Sequence, residues 1–172
     1  AAFIYGQLAE VELRKGNFSK ALIYYKQQIK LDKKLGNKEF DCKQAMNSIG
    51  HDIYFVGYNN PDKAIAYYRN AFLFINHDNS QKKADSIESL SLYSNMAEAF
   101  AHKNDFDSSF WYFQLAFDQI KKGVNENDIL NLPLEEFKRF KKIHYLARLL
   151  ITKGDAYIIQ YIAKGDQNSI SK

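Results

Sequence analysis

Apolar residues recur at three- and four-residue intervals along nearly the whole chain, the period of an amphipathic helix. In the first segment Ile4, Leu8 and Val11, with Phe3 beside them, form such a stripe until Gly16-Asn17 interrupts it. Phe18, Ala21, Leu22, Tyr25, Ile29 and Leu31 follow at the same spacing up to Gly36-Asn37. Ala45, Ile49, Ile53 and Val56 continue it before Gly57-Tyr58-Asn59-Asn60-Pro61. Pro61 suits the first turn of a helix, where an N–H has no intrahelical partner in any case. The next helix carries Ala64, Ile65, Tyr68, Ala71, Phe72 and Ile75 and stops at Asn76-His77-Asp78-Asn79-Ser80. Two more are predicted over about 82–103 and 106–122, the second ending at Lys121-Lys122-Gly123. A polar loop over 124–132 closes at Pro133, and a long last helix spans about 134–164, with Ile143, Ala147, Leu150, Tyr157 and Tyr161 along one face. No period-two segment of strand length competes. The chain reads as all-α, with about seven helices.

Three stretches of the chain align with one another. They are Gly16-Asn17-Phe18-Ser19-Lys20-Ala21-Leu22-Ile23-Tyr24-Tyr25, Asn59-Asn60-Pro61-Asp62-Lys63-Ala64-Ile65-Ala66-Tyr67-Tyr68 and Asn104-Asp105-Phe106-Asp107-Ser108-Ser109-Phe110-Trp111-Tyr112-Phe113. Each is a polar turn, then a small residue inside a helix, then paired aromatics about one turn later. The small residues Ala21, Ala64 and Ser109 lie 43 and 45 residues apart. Upstream of each turn another small residue sits within a helix: Ala9, Gly50 and Ala97. A fixed period of this length is the mark of a repeat architecture. Each unit predicts two helices that cross closely where both side chains are small.

These residues resemble the tetratricopeptide repeat. Its pattern is matched in the first unit by Tyr5, Leu8, Ala9, Gly16, Phe18, Ala21 and Tyr25, with Glu12 standing where an aromatic is usual. The second unit matches at Ile49, Gly50, Ala64, Tyr68 and Ala71, with two extra residues in the turn over 57–60. The third matches at Tyr93, Met96, Ala97, Phe100, Phe106, Phe113 and Ala116, with Ser109 in the small slot. A partial fourth begins at Gly154-Asp155-Ala156-Tyr157, with Gly154 as the small residue. The resemblance covers the whole chain as one array: repeats over about 1–37, 38–79 and 80–123, the loop 124–132, and a partial repeat over 133–172. It implies a right-handed solenoid of antiparallel helix pairs with a concave inner face. The period exceeds that of the short repeat, and the closing Pro is replaced by polar loops such as Gly36-Asn37-Lys38.

The 172 residues carry 46% hydrophobic and 26% charged side chains, which excludes a disordered chain, and no apolar run is long enough to cross a membrane. Cys42 is the one cysteine, so neither an internal disulfide nor a cysteine-based zinc site is expected. Twenty-four Lys and Arg against twenty Asp and Glu give +4, spread thinly and mostly as Lys. With only Arg14, Arg69, Arg139 and Arg148 as arginines, this reads as a solvated helix surface and not as a nucleic-acid stripe. His51, His77, His102 and His144 occur singly, and Cys42 has no histidine nearby, His51 lying nine residues on. Neither a metal, a cofactor nor an enzymatic activity is expected.

The resemblance instead implies a protein-binding module. Carried over to this chain, the inner-face slots are Gly6, Glu10, Leu13 and Arg14, then Asn47, His51, Tyr54 and Phe55, then Ser94, Asn95, Glu98 and His102. Asn47 and Asn95 could each donate to and accept from a peptide backbone, and Tyr54 and Phe55 could supply an apolar pocket. His51 and His102 would meet across neighbouring first helices. Gly6 and Glu10 stand where chaperone-tail-binding arrays have Lys and Asn, so that ligand is not expected. Lys153-Gly154-Asp155-Ala156-Tyr157, after the insertion at 124–132, looks like the repeats before caspase-like CHAT domains in bacterial proteins. Similar arrays precede sensor kinases and occur in peptide-sensing regulators. The expectation is a cytoplasmic regulatory or scaffolding array binding a peptide or protein, with an attached effector domain outside this chain. The alternative is a spacer or self-association module without a working groove.

The 13 Phe and 12 Tyr have their main place in this scheme at the paired aromatics. Burying one of them contributes about 1.5–3 kcal/mol. Replacing Phe113 by Ala should therefore lower stability by roughly 3–5 kcal/mol. Thermal unfolding unchanged from the wild type would contradict its place in the core.

Overall fold

The computed structural model describes residues 2–35, 39–76, 87–120 and 143–170. Among them are seven α-helices: α1 (Ala2–Arg14), α2 (Phe18–Lys34), α3 (Glu39–Ser48), α4 (Pro61–Asn76), α5 (Ile87–His102), α6 (Phe106–Asp118) and α7 (Ile143–Ile170). A π-helical segment, Ile49–Gly57, extends α3 without a break. The predicted loop 124–132 and the start of the last predicted helix lie outside the described residues. The chain, read from sequence as a single array, divides into two compact units, Ala1–Lys83 and Ala84–Lys172.

In the first unit α2 packs against α1 on one side and α3 on the other, and α4 packs on α3 and its π extension. Ala9, Ala21, Tyr25, Ala45, Ile49 and Ile53 form the buried cluster. In the second unit α5 and α6 pack together and both receive α7. Its core is built on Ala97, Phe113, Phe117, Leu146, Leu149 and Ala156.

The same turn is made in both units. Between α1 and α2 the N–H groups of Lys15, Gly16 and Asn17 donate to the carbonyls of Glu12, Leu13 and Glu12 at 3.2, 2.9 and 2.8 Å. Between α5 and α6 those of Lys103, Asn104 and Asp105 donate to Phe100, Ala101 and Phe100 at 3.0, 2.9 and 3.0 Å. Gly16 at φ 75° and Asn104 at φ 60° hold the left-handed position that ends the first helix of each pair. An Asx residue follows. Asp105 Oδ1 caps α6 by accepting from the Ser108 N–H at 3.2 Å, and Asn60 Oδ1 accepts from the Lys63 N–H at 3.0 Å. Asn17 acts differently, donating from Nδ2 to Glu12 Oε2 at 2.7 Å while Lys15 Nζ donates to Oε1 at 3.2 Å. The bonds from Asn17 and then Lys15 hold the Glu12 carboxyl below its usual range. Glu12, the departure from the repeat pattern, thus ties down the turn.

The six small residues are buried where helices meet. Ala9, Ala21, Ala64, Ala97 and Ser109 are 0% exposed, and Gly50 is buried with them. A Cβ on Gly50 would lie 2.6 and 2.8 Å from Cε1 and Cδ1 of Tyr68 and 3.2 Å from the Ala64 carbonyl oxygen. The aromatic pairs divide their work. Tyr25, Tyr68 and Phe113 are buried, while the preceding rings meet a tyrosine of the neighbouring helix, tilted at Tyr24 and Tyr112 and stacked at Tyr67. Tyr5–Tyr24 and Tyr93–Tyr112 have the same geometry, with centroids 6.4 Å apart and interplanar angles of 32° and 31°. Trp111 stays 58% exposed.

Three sequence expectations need correction. The α1 stripe of Phe3, Ile4, Leu8 and Val11 is on the exposed side, and the helix buries Ala2 and Ala9 with Tyr5 and Leu13 half-buried. Val56 is 62% exposed, not core. In the π segment the Tyr58 N–H reaches back five residues to the Ile53 carbonyl at 2.9 Å. Its wider turns rotate each successive side chain by a smaller angle, so the position three after Ile53 leaves the core face. In α7 the buried positions are Leu146, Leu149, Thr152, Lys153 and Ala156, whereas Ala147, Tyr157 and Tyr161 are exposed. Gly154 meets nothing within 4 Å, and Ala156 is the small buried residue instead. Lys153 is buried under its own aromatics, with Nζ 5.9, 5.3 and 5.8 Å from the ring centroids of Phe110, Phe117 and Tyr157.

Gly50 and Gly154 should answer oppositely to alanine. Gly50→Ala forces a fully buried ring to move and is expected to cost about 1–3 kcal/mol. Gly154→Ala removes a flexible residue from an open helix face and should add up to about 1 kcal/mol. Urea unfolding of the two variants measures both, and equal shifts would contradict the close crossing at Gly50.

Candidate binding groove

A groove runs along the first unit between α1 and α3 with its π extension, floored by α2. It comprises two adjoining clefts of about 580 and 280 Å³, which share Glu10, Tyr25 and Ser48. The larger is lined further by Leu13, Arg14, Phe18, His51, Asp52 and Val56. The smaller carries three carboxamides, Gln7, Gln28 and Gln44. Glu10 and Arg14 are four apart on α1, and Ser48 and Asp52 four apart on the facing helix, so helical spacing alone aims each pair one way.

The floor is formed by Tyr25, which is 4% exposed. Burial pushes its phenol up to about 12, a hydrogen bond with Ser48 opposes this, and the Asp52 and Glu10 carboxylates add to it. His51 Nδ1 lies 2.8 Å from Asp52 Oδ1, and the imidazole stacks on Phe55 with centroids 6.2 Å apart. Gly6 makes room below α1, because a Cβ there would come within 2.8 Å of Gln28 Oε1. That oxygen is buried without a hydrogen-bond partner.

Of the residues expected on the inner face, Glu10, Arg14 and His51 come together in this groove, with Gly6 and Leu13 beside them. Asn47 is half-buried on α3 and is not among the lining residues. Tyr54 and Phe55 do not supply the apolar wall. Tyr54 faces α4, its ring 5.3 Å from Tyr67 and under Lys63 Nζ at 5.4 Å, and Phe55 is buried at 9% exposure. Leu13, Phe18 and Val56 are the wall instead. In the second unit Asn95 is 5% exposed and Ser94 is buried beside it, so neither offers surface to a ligand. Glu98 is half-buried, and His102 is exposed in the last turn of α5.

Sequence reasoning missed Tyr25, Ser48 and Asp52 because it assigned the inner face to carried-over slots and the aromatics of α2 to the core. The usable signal was the four-residue spacing of Ser48 and Asp52 on the helix facing Glu10 and Arg14. Among the described residues no group of three His, Cys, Asp or Glu could hold a metal ion, and no helix is long and apolar enough to cross a membrane. The chain matches no family model, no curated protein and no solved structure.

Tyr25 makes stability alkali-sensitive. Its folded value is raised from 10.0 to about 12, so its contribution is complete below pH 10 and is lost as the pH rises towards 12. The loss runs at about 1.4 kcal/mol per pH unit in that interval. Urea unfolding across that range should fall less steeply for Tyr25→Phe than for the wild type; parallel curves would contradict a protonated phenol on the groove floor.

Proposed function

We propose that the chain is a tetratricopeptide-like array that binds a segment of a partner protein in the groove between α1 and α3. In this reading the helix pairs are antiparallel and stack as a right-handed solenoid, and the chain is a non-catalytic regulatory or scaffolding part of a larger bacterial protein. The observation that carries the proposal is the groove itself. It is an open channel between two successive first helices, with carboxamides at one end and charged groups beside an apolar wall at the other. Support for the array comes from the turn repeated bond for bond between the units and from the matching tyrosine pairs. Support for antiparallel pairing comes from α1 and α2, where Gly6 meets Gln28 late in α2 while Ala9 shares a core with Ala21.

The exposed apolar side of α1 favours a second reading. Ile4 and Val11, at 57% and 46% exposure, are the kind of surface through which copies of a chain associate. One set of variants separates the two. Panning a displayed library of random short peptides against the chain should yield binders whose affinity falls roughly tenfold in Glu10→Ala and His51→Ala. The variant Ile4→Ser should leave them unaffected. Binders indifferent to the groove variants, with self-association lost in Ile4→Ser, would replace the first reading by the second.

A further inference from the structure

Resting on that reading, we propose that the groove selects an extended peptide segment presenting a lysine or arginine side chain to Glu10 and Asp52. The charged groups sit together at one part of the channel, and Glu10 borders both clefts. Among the described residues Glu10 has no hydrogen bond or ion pair, and Arg14, four positions on, does not pair with either carboxylate. Asp52 is engaged only through one oxygen, by His51 at 2.8 Å, and its side chain remains 40% exposed.

Two carboxylates, Glu10 and Asp52, line the larger cleft beside the Tyr25 floor. Both carboxylates border the Tyr25 phenol and each pushes it upward. A ligand that brings positive charge pairs with both carboxylates; an acidic or purely apolar side chain leaves them unmet. The aliphatic stem of Lys or Arg fits the remaining wall of Leu13, Phe18 and Val56. The channel extends along α1 from Phe3 to Arg14. At 1.5 Å per residue that is about 16 Å, room for about five residues of extended chain. Gln7, Gln28 and Gln44 then lie where backbone amides would pass, and each carboxamide can pair with them.

The test uses the full chain and a positional-scanning library of short peptides, acetylated and amidated so that their ends carry no charge. One position should prefer Lys or Arg over norleucine by roughly tenfold. The double variant Glu10→Gln with Asp52→Asn should abolish that preference, bringing the Lys, Arg and norleucine peptides to within about twofold of one another. Both side chains reach solvent and Asn keeps an acceptor for His51, so the fold should survive, which thermal unfolding checks. Peptides bound without a basic preference would overturn this inference and leave the groove reading intact, as would a basic preference surviving the double variant. Failure of every library peptide to bind would overturn both.

Discussion

Two helices can approach closely only where the side chains between them are small, and in this chain the buried small residues are Ala9 and Ala21 in one cluster, Gly50 against Ala64, and Ala97 and Ser109 on the paired helices α5 and α6. Everything around these points adjusts to the short separation. With the backbones close, the next residue large enough to fill the adjoining space is an aromatic, and Tyr25, Tyr68 and Phe113 take that place. The tyrosines one position earlier then have a neighbouring helix within stacking distance. Tyr24, Tyr25, Tyr67, Tyr68, Tyr112 and Phe113 thus owe their places to the small residues beside them.

The groove depends on the same constraint. Because α1 and α2 cross at Ala9 and Ala21, Tyr25 lies deep enough for its ring to be core while its hydroxyl reaches Ser48. A looser crossing would lift the floor and close the channel. Gly6 extends this logic by one turn, letting the Gln28 carboxamide lie under α1. Packing and the depth of the groove are therefore set by the same few positions in the first unit, and the polar lining could change with little effect on the packing below it.

Most helices, the turns at 15–17 and 103–105 and the small crossing residues were legible in the sequence because each has a local cause: a period, a left-handed residue, a capping side chain; the end expected near 164 is not made, and α7 runs on to Ile170. What was not legible was which face turns inward. In α1 the residues Ile4, Leu8 and Val11 make a better stripe than Ala2, Ala9 and Leu13, yet they lie outside. A helix apolar on two sides gives no internal preference, and contact with its neighbour decides. Val56 and Phe55 were exchanged for a different reason, since a helical period assumed in advance cannot register a change of winding. Gly154 was misplaced because small size permits a close contact without requiring one. Among the groove's lining residues, Glu10, Arg14 and His51 were among the carried-over slots, whereas Tyr25 was hidden by its success as a core residue.

The π segment has a bearing on how such a chain tolerates changes of length. Between the crossing residues the second pair holds two more residues than the first or third, and Ile49–Gly57 takes up part of this excess by winding more residues into each turn. The crossing at Gly50 and the cap at Asn60 both keep their form. An insertion is thus converted into a rotation of side chains past Ile53, and one of those rotated outward, Val56, became a wall of the groove. A change in residue count within a helix can in this way redraw a recognition surface while the helix contacts on either side of it stay where they were.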